Sequence, residues 1–469
     1  MLSARLAGHV ALETRARGEI VACFGGHAVG LGKLSADAAV RAQDLRRGLP
    51  LDPLSSDARG IDKEIHALVR RLAGHGLLEY RLGMGPQEDE VLIEPQRPDY
   101  WPRTPQLSNA DILVLSRFAY LRRRGNDMVL ESPLAGALFR IGNPMTASIL
   151  ATLASPQRIG RLRRQAHFPG IALLALLCDC RILFKLGSAR DSGLRPEEGD
   201  DNLVLWDFHD LLFHARSSEG RHANPLGGVY PYAGVIAPLP AVRPRWPGKT
   251  IDLRRLSKPD APAISPAANL LRQRHSTRSF DDRRPITLGE LARFLDCAAR
   301  VRSRWRGRLD AGGDGPMIAY AVRPYPSGGA SYELELYLAV DKCEGLARGF
   351  YHYDAGGHAL TAIGVGAREL EALLKGAEFA MDAAGAPQIL IMIAARFGRV
   401  AWKYSSIAYA LVLKDAGVLT QTLYLMANDM GLGGCAIGSV NIDLFAQMTG
   451  LEFHVEGPVG QFALGRPAP

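Results

Sequence analysis

A short basic motif, RHSTRSF at residues 274–280, is the first candidate for a binding site. Arg274 and Arg278 bring two guanidinium groups close together, and His275 and Ser276 add neutral donors between them. This set suits a phosphate group, because arginine makes charge-assisted and bidentate hydrogen bonds with phosphate oxygens. Most short basic clusters are solvated surface, so the prediction of a phosphate site depends on the elements around this one.

A second candidate is a glycine-containing loop, PSGGASYELELYL, at residues 326–338. Pro326, Ser327, Gly328 and Gly329 directly precede an alternating, strand-like segment. Glycines allow backbone N–H groups to come close to a planar or anionic ligand. Taken alone, the stretch is more typical of a tight turn.

The third candidate is the pair Lys403 and Tyr404, which stands before an apolar run from Ser406 to Met430. The run predicts a helix of about 25 residues that ends at Gly431. Its apolar residues lie nearly all round, which predicts burial in the domain centre or against another subunit. A lysine–tyrosine pair at a helix entrance commonly lays its apolar parts on the protein surface, so the pair alone does not indicate catalysis.

Helices and strands alternate around these candidates and predict an α+β domain over residues 266–469. Thr287 and Glu290 have capping-box spacing at the start of a helix. Three strands are predicted, in SYELELYLAV (331–340), GFYHYD (349–354) and QILIMIAARF (388–397). These elements would hold the basic cluster, the loop and the lysine–tyrosine pair.

The N-terminal half is predicted to contain two winged-helix-like modules, at residues 1–90 and 105–235. In each, a strand-like stretch with a glycine turn is followed by two helical patterns and a short strand-like tail. The predicted recognition helices are poor in Arg, Lys, Asn and Gln, which disfavours DNA base readout and favours a peptide clamp. Closely spaced prolines predict a linker at residues 236–265.

Composition and charge narrow the class of protein. The net charge is +8, and residues 1–262 carry +7 of it, which suggests an acidic partner for that half or a solvated basic surface. No apolar run is long enough for a bilayer, and no signal peptide is recognisable, so we expect a cytoplasmic protein that binds no membrane. Six cysteines without repeated spacing indicate a reducing compartment, and Cys178-Asp-Cys180 is expected in the core, with no metal.

Together these motifs resemble the FMN-dependent nitroreductase superfamily, and most closely its SagB-type azoline dehydrogenases, which include the cyanobactin thiazoline oxidases. The resemblance covers about residues 110–469. The motifs that carry it are RHSTRSF, PSGG, GFYHYD, AWKYSS, GLGGCAIG, VGQFALGRP and the upstream WDFHDLLFHARSSEGRH. It implies an FMN site formed by Arg274, His275, Ser276, Arg278, Pro326, Ser327, Gly328, Gly329, Gly433, Gly434, Ala436, Ile437 and Gly438. Simpler relatives hold the phosphate with a basic tail, and Arg466 is expected to substitute here.

The resemblance also implies that Lys403 and Tyr404 are catalytic. Oxidation of a thiazoline or oxazoline removes a proton next to a carbonyl and a hydride from the neighbouring carbon, and the hydride goes to the flavin. A buried lysine could take the proton once desolvation lowers its pKa. Tyr404 could instead be the base as a phenolate stabilised by Lys403, or could orient the ring.

The expected protein is therefore a homodimeric FMN oxidoreductase that acts on a precursor peptide with a leader, uses O2 to reoxidise the flavin and works beside a cyclodehydratase. It would bind no nucleic acid. One alternative is an NAD(P)H-dependent nitro- or quinone reductase, which would not need the long N-terminal half. The other is a non-catalytic scaffold with the same fold, which the intact RHSTRSF motif and Lys403-Tyr404 pair disfavour. The segments IAYA and DAGV differ from the SagB relatives, so substrate contacts there are left open.

Overall fold

A computed structural model of the chain describes residues 1–469 with the exception of 25, 53, 55, 56, 84–89, 188–199, 222–229, 231, 232, 244–246, 248, 249, 254–264 and 310–314. The chain divides into two compact units, Met1–Asn224 and Pro225–Pro469. Within the described ranges, no helix combines the length and the apolar character needed to cross a bilayer.

The N-terminal unit is built from thirteen described strands and six described α-helices. The strands are β1 (Leu2–Leu6), β2 (Ala11–Thr14), β3 (Glu19–Phe24), β4 (His27–Lys33), β5 (Leu49–Pro50), β6 (Leu78–Gly83), β7 (Glu90–Pro95), β8 (Ile112–Leu115), β9 (Tyr120–Arg124), β10 (Asp127–Glu131), β11 (Ala137–Ile141), β12 (Gln157–Arg158) and β13 (Leu183–Leu186). The helices are α1 (Ala36–Ala42), α2 (Ile61–Gly74), α3 (Pro144–Thr152), α4 (Ile159–Leu162), α5 (Ile171–Asp179) and α6 (Phe208–Arg216).

One antiparallel sheet runs through both predicted N-terminal modules. Its strand order is β5-β1-β6-β7-β11-β10-β9, so β7 joins the tail of the first module to a hairpin of the second. Two smaller sheets, β2-β3-β4 and β12-β8-β13, belong to one module each. The helices and strand-like tails appear in the predicted order, as α1, α2, β6 and as α3, α5, β13. The winged-helix-like interpretation and the module boundaries stay predictions.

The core of this unit forms where amphipathic helices cover the sheets. In α2 the buried residues Ile65, Leu68, Val69 and Leu72 recur at helical spacing, so one face of the helix is apolar. Cys180 is buried in the same core, with its Sγ 3.3 Å from the Tyr100 hydroxyl oxygen.

The described part of the predicted linker carries no regular structure. Residues 233–243 contain no helix or strand, and the side chains of Leu239 and Val242 are 92% and 84% exposed. The prolines explain this, since they remove backbone donors and fix φ. Much of the rest of the predicted linker, including residues 254–264, lies outside the described residues.

The C-terminal unit contains eight described strands and six described α-helices. The strands are β14 (Ser303–Arg308), β15 (Met317–Val322), β16 (Leu334–Val340), β17 (Gly349–Asp354), β18 (Ala359–Ile363), β19 (Ile389–Arg396), β20 (Gly433–Ile437) and β21 (Glu456–Gly465). The helices are α7 (Pro266–Gln273), α8 (Leu288–Ala299), α9 (Ala367–Met381), α10 (Phe397–Ala401), α11 (Ala408–Asp429) and α12 (Ile442–Thr449).

Six strands of this unit form an antiparallel sheet in the order β18-β17-β16-β19-β21-β20, and β14 pairs with β15 separately. The three predicted strands are confirmed as β16, β17 and β19. Strand β19 lies inside the sheet and is buried from Ile389 to Ala395, as its continuous apolar sequence predicts. Helix α11 packs against α8, β20 and β21.

Local signals for the helix ends are also confirmed. The Thr287 hydroxyl accepts the Glu290 N–H and the Glu290 carboxylate accepts the Thr287 N–H, which completes the capping box of α8. Helix α11 ends just before Gly431, whose φ of +66° suits glycine.

Burial of α11 is one-sided in the described chain. Its buried residues are Ala408, Tyr409, Val412, Asp415, Ala416, Leu419, Leu423 and Ala427. Val418, on another side, remains 37% exposed. Burial in the domain centre therefore accounts for part of the helix, and burial of the rest against another subunit stays a prediction.

Candidate functional site

The basic cluster at residues 274–278 lies on extended backbone between α7 and α8, directly after α7 ends at Gln273. The Thr277 N–H donates to the Gly434 carbonyl at 2.8 Å, which ties the cluster to β20. The Ser276 hydroxyl lies 2.8 Å from the hydroxyl of Tyr424 on α11. The Arg274 guanidinium carbon is 5.1 Å from the Tyr424 ring centroid, within cation–π range.

Glycines in β20 allow the basic cluster to pack closely against this strand. A Cβ at Gly433 would lie 2.6 Å from the Thr277 side chain, and one at Gly434 would lie 2.3 Å from the Phe462 ring. The Ala436 N–H donates to the Tyr424 hydroxyl at 2.8 Å, so Tyr424 joins the basic cluster to β20. Of the other predicted residues here, Ile437 is buried in the core and Gly438 directly follows the strand.

The basic cluster offers donors to solvent. The side chains of His275, Ser276 and Arg278 are exposed, and Arg274 is half-buried. The Arg278 guanidinium makes no hydrogen bond or ion pair with any residue that the structure describes, and the Arg274 guanidinium makes only the cation–π contact. Two uncommitted guanidinium groups and a hydroxyl are a suitable donor set for a phosphate.

The glycine loop and the lysine–tyrosine pair meet at Gly329. The Lys403 Nζ donates to the Gly329 carbonyl at 3.0 Å and lies 5.3 Å from the Tyr404 ring centroid. A Cβ at position 329 would lie 2.3 Å from the Tyr404 hydroxyl and 2.5 Å from the Lys403 Nζ. Gly329 also has a φ of +58°, which disfavours other residues.

Local structure around α10 places the pair. The N–H groups of Lys403 and Tyr404 both donate to the Val400 carbonyl at 2.9 Å, so the pair continues the turn after α10. Arg399 donates to the Ser331 carbonyl at 2.8 Å and also to the Ala319 carbonyl. Arg399 thereby connects the pair's helix to the glycine loop and to β15.

Two buried carboxyl groups lie behind the glycine loop. The Ser327 hydroxyl oxygen lies 2.8 Å from Asp415 Oδ2 and 3.2 Å from Glu333 Oε2, and the Gly328 N–H donates to the same Asp415 oxygen at 2.8 Å. Burial raises the pKa of Glu333 to about 7, and the nearby Asp415 also raises it. Pro326, at the start of the loop, is exposed.

Sequence reasoning missed Tyr424, Asp415 and Glu333. Asp415 had a detectable signal, since it is the only carboxylate between Ala408 and Asn428 in an otherwise apolar helix. Tyr424 and Glu333 had none, because a tyrosine in α11 and an alternating glutamate before β16 are ordinary residues for those elements.

The two clusters face the same helix at different heights. Tyr424, beside the basic cluster, and Asp415, beneath the glycine loop, are nine residues apart in α11, which corresponds to about 14 Å along the helix axis and about two and a half turns. The two side chains therefore leave the helix on opposite sides.

Arg466 does not join either cluster. Its Nη2 donates to both carboxylate oxygens of Glu290, at 2.8 and 2.7 Å, and its Nε donates to the Arg284 carbonyl. Although burial opposes the effect, hydrogen bonds from Arg466 and Thr287 lower the pKa of Glu290. In the described chain the Arg466 guanidinium braces the start of α8, and its predicted role in place of a phosphate-binding tail stays a prediction.

Lys403 is exposed in the described chain, and Tyr404 is half-buried. The desolvation expected for a lysine base is therefore not supplied by the described residues of a single chain. Trp402 and Ile407, on either side of the pair, are also exposed, at 53% and 47%. These apolar side chains form an uncovered surface around the pair.

Comparison with known proteins identifies the family. Residues 271–466 match the nitroreductase family, and residues 113–223 match the cyanobactin oxidase ThcOx. A putative nitroreductase of Methanocaldococcus jannaschii is 31% identical over 191 residues, which cover 40% of this chain and 85% of that relative. The chain belongs to the nitroreductase family. The recognition of a SagB-type member, in which a cyanobactin-oxidase-like segment precedes the nitroreductase domain, is confirmed.

Other similar proteins match less of their own length or less closely. The trifolitoxin-processing protein TfxB of Rhizobium leguminosarum is 28% identical over 144 residues, which cover 30% of this chain and 39% of that protein. A putative nitroreductase structure from Ralstonia eutropha has 24% identity and a TM-score of 0.34, covering 45% of this chain and 88% of its own. In a structure of the E. coli microcin synthetase McbBCD complex with truncated pro-MccB17 bound, one chain has 19% identity and a TM-score of 0.39, with 57% and 97% covered.

Nitroreductase-family proteins typically bind a flavin, and the residues of this chain fit one. The uncommitted guanidinium groups of Arg274 and Arg278 suit the phosphate of FMN. The backbone at Gly329, where a side chain would collide with Lys403 and Tyr404, suits the close approach of a flat ring system.

Proposed function

We propose that this oxidoreductase uses FMN to convert thiazoline or oxazoline rings of a ribosomally made precursor peptide into thiazoles or oxazoles, with O2 as the terminal electron acceptor. The observation that carries the proposal is the convergence of Lys403 and Tyr404 on Gly329. This convergence supports the proposal because Lys403 or Tyr404, as the proton acceptor, would then lie beside a backbone surface suited to a flat cofactor.

The proposed reaction assigns separate tasks to the residues of the site. Arg274, Ser276 and Arg278 would bind the FMN phosphate and its chain, and FMN held there would accept the hydride of the azoline ring. Lys403 or Tyr404 would take the proton from the ring carbon next to the carbonyl. Loss of one proton and one hydride converts the azoline to the aromatic azole.

The N-terminal unit supports a peptide substrate in preference to a small molecule. Residues 113–223 match the cyanobactin oxidase ThcOx, and the relative TfxB is a trifolitoxin-processing protein. The +7 charge of residues 1–262 suits an acidic leader peptide. In this proposal residues 1–90 and 105–235 are winged-helix-like clamps for the leader, and a cyclodehydratase supplies the azoline.

The proposed assembly is a homodimer in the cytoplasm. Trp402, Ile407 and Val418 are exposed apolar side chains next to the site, and a second subunit over them would also exclude water from Lys403. Light scattering of the purified protein should give twice the chain mass. A flavin-loaded monomer would contradict this assembly.

The test of the function is direct oxidation of an azoline. Purified protein should be yellow and should convert a leader-bearing peptide with a thiazoline into a product lighter by two hydrogen atoms, with consumption of O2 and without NAD(P)H. Reduction of a nitroaromatic or quinone by NAD(P)H, with no change in the thiazoline peptide, would favour the reductase alternative. Colourless protein that does neither would favour a non-catalytic role.

A further inference from the structure

The glycine loop is held from below by one hydroxyl and one carboxylate oxygen. Ser327 Oγ lies 2.8 Å from Asp415 Oδ2, 3.2 Å from Glu333 Oε2 and 2.9 Å from the Tyr332 nitrogen. The same Asp415 oxygen accepts the Gly328 N–H at 2.8 Å. The backbone N–H groups on the two sides of Gly329 are therefore both bound, that of Gly328 by Asp415 and that of Tyr332 by Ser327.

The two carboxyl groups are buried and come from different elements. Glu333 directly precedes β16 and has no exposed surface, while Asp415 lies within α11 and is 7% exposed. Glu333 Oε1 is buried and has no hydrogen-bond partner among the described residues. In the described chain, no cation lies within ion-pair distance of either carboxyl group.

The charged and titratable groups packed around the pair are occupied elsewhere. Arg323 donates to the Leu334 carbonyl, and its Nη2 lies 3.7 Å from Glu335 Oε1. Tyr325 is buried, and burial raises its pKa, so it stays neutral at physiological pH. None of these groups neutralises a second negative charge beside Asp415.

Ser327 contacts two carboxyl oxygens but has only one hydroxyl proton, so one of the two hydrogen bonds needs a proton from a carboxyl group. A serine hydroxyl has one proton to donate and two lone pairs to accept with. If Asp415 is ionised and receives the Ser327 proton, the Ser327 oxygen can accept the Tyr332 N–H and one further donor. That donor is assigned to Glu333, because Asp415 Oδ2 already accepts the Gly328 N–H, whereas Glu333 has no exposed surface and an unpartnered Oε1 among the described residues. Two ionised carboxylates facing one hydroxyl would leave a buried, unpaired charge.

We propose that Glu333 is a positioning residue that stays protonated up to near-neutral pH in the folded protein, and that this proton keeps the glycine loop in the form in which the Gly329 carbonyl binds Lys403. The raised pKa of Glu333, about 7, supports this assignment. The role of the loop in azoline oxidation rests on the proposed function, whereas the protonation of Glu333 does not.

The proposal has a consequence for folding stability that requires no substrate. The pKa of Glu333 is raised from 4.5 in an unfolded chain to about 7, so the folded protein holds the additional proton between these values. The contribution of Glu333 to stability is fully present below pH 4.5 and is lost as the pH rises through about 7. Glu333→Gln copies the protonated side chain and should remove this part of the pH dependence.

The matched control is Glu335→Gln, two residues along the same chain segment. The Glu335 side chain is 13% exposed, faces the guanidinium groups of Arg323 and Arg396 and the His352 imidazole, and does not contact Ser327. Its hydrogen bond raises the pKa of His352, so Glu335→Gln should lose the His352 part of the pH dependence. Thermal unfolding of the full-length protein should therefore keep the Glu333-dependent slope in Glu335→Gln and lose it in Glu333→Gln. An unchanged slope in Glu333→Gln would overturn the proposal.

Infrared spectroscopy provides the direct measurement. The carbonyl stretch of a protonated carboxylic acid should be present at low pH, disappear with a midpoint near pH 7, and be missing from Glu333→Gln but not from Glu335→Gln. A band that is absent in the wild type, or that persists in Glu333→Gln, would refute the assignment.

The pH profile of turnover then tests the positioning role. In the wild type, azoline oxidation should decline as Glu333 ionises, and Glu333→Gln should keep its rate over that range. If the protein oxidises no azoline but the infrared band titrates as expected, the proposed function fails and the protonation stands. If the band titrates and both proteins share one pH profile, Glu333 does not position Lys403.

Discussion

The basic cluster and the glycine loop of the C-terminal unit are both predicted to bind FMN, but their structures differ. Residues 274–278 lie on extended backbone, with three of the four predicted side chains exposed and two guanidinium groups uncommitted. The loop at residues 326–332 instead has buried carboxyl groups beneath it and positive φ angles at Gly329, Ala330 and Tyr332. The basic cluster offers side-chain donors to a ligand, whereas the glycine loop offers a backbone that is held in one conformation.

This difference predicts which property each region affects, ligand affinity or the rate of reaction. Exposed, uncommitted arginines lose little structure when they are replaced, so their substitution should lower ligand affinity and leave the fold intact. A loop with two non-glycine residues, Ala330 and Tyr332, in the left-handed region stores strain that its surroundings must offset. Changes in or against that loop should alter the rate of reaction more than the affinity for the cofactor.

The largest effect is expected from Lys403→Ala. Loss of a positioned general base typically lowers a rate by about 10²–10⁴-fold, so azoline turnover should fall by that factor while the protein stays folded and yellow. Turnover is measured by mass spectrometry of the peptide and flavin content by absorbance. Tyr404→Phe keeps the ring and removes the hydroxyl, so near-normal turnover in that variant would leave Lys403 as the base.

Lys375→Ala is the matched control for this variant. Lys375 is an exposed lysine on α9, and its only described ion pair is with Glu371 on the same helix, at 3.6 Å. Its removal should leave turnover unchanged. A wild-type rate in Lys403→Ala would remove the lysine–tyrosine pair from the catalytic assignment and reduce the loop to a structural turn.

The next effect is expected from Gly329→Ala. The added Cβ would collide with the Tyr404 hydroxyl and the Lys403 Nζ, and the φ of +58° adds backbone strain. Because small displacements of a catalytic group are costly, we expect turnover to fall roughly tenfold to a hundredfold. Gly376→Ala, in α9 with open space around its Cβ, should keep full turnover. Equal turnover in the two variants would show that the loop is not preorganised.

The fold around these regions was largely predictable from sequence, because local signals specify it. The apolar run of β19, the capping box of α8 and the stop at Gly431 each depend on neighbouring residues, and all three are confirmed. Strand β16 begins at Leu334, later than predicted, since the preceding residues turn toward Ser327.

Long-range pairings were not predictable in the same way. Ser327 and Asp415 are separated by 88 residues, and Ser276 and Tyr424 by 148, so no periodicity in the sequence connects them. Arg466 was assigned to a phosphate because of its residue type, whereas its partner, Glu290, lies 176 residues away. The β14–β15 ribbon was missed because its arginine-rich first strand lacks the apolar alternation of a half-buried strand.

The basic cluster predicts an effect on affinity. Arg274→Ala should remove a charge-assisted contact with the FMN phosphate, on the order of 1.5–3 kcal/mol, and weaken FMN binding roughly tenfold to a hundredfold. Fluorescence titration of flavin-free protein gives the affinity. Arg272→Ala, an exposed arginine in the last turn of α7, is the control and should bind FMN as the wild type does. Equal affinities in the two variants would contradict the phosphate assignment.

The smallest effect is expected from Arg466→Gln, which separates bracing from ligand binding. Arg466 pairs with the capping-box glutamate of α8, and the two side chains are 24% and 33% exposed, so the pair should contribute roughly 1 kcal/mol to stability. The substitution should lower the free energy of unfolding, measured by chemical denaturation, by that amount and leave FMN affinity unchanged, which is the reverse of Arg274→Ala. Thr287→Ala, which removes the neighbouring hydroxyl cap, should reproduce the loss of stability, on the order of 1 kcal/mol. If Arg466→Gln instead weakened FMN binding as strongly as Arg274→Ala does, the division between a ligand-facing cluster and a structural brace would be wrong, because Arg466 would then have to leave Glu290 when the cofactor binds.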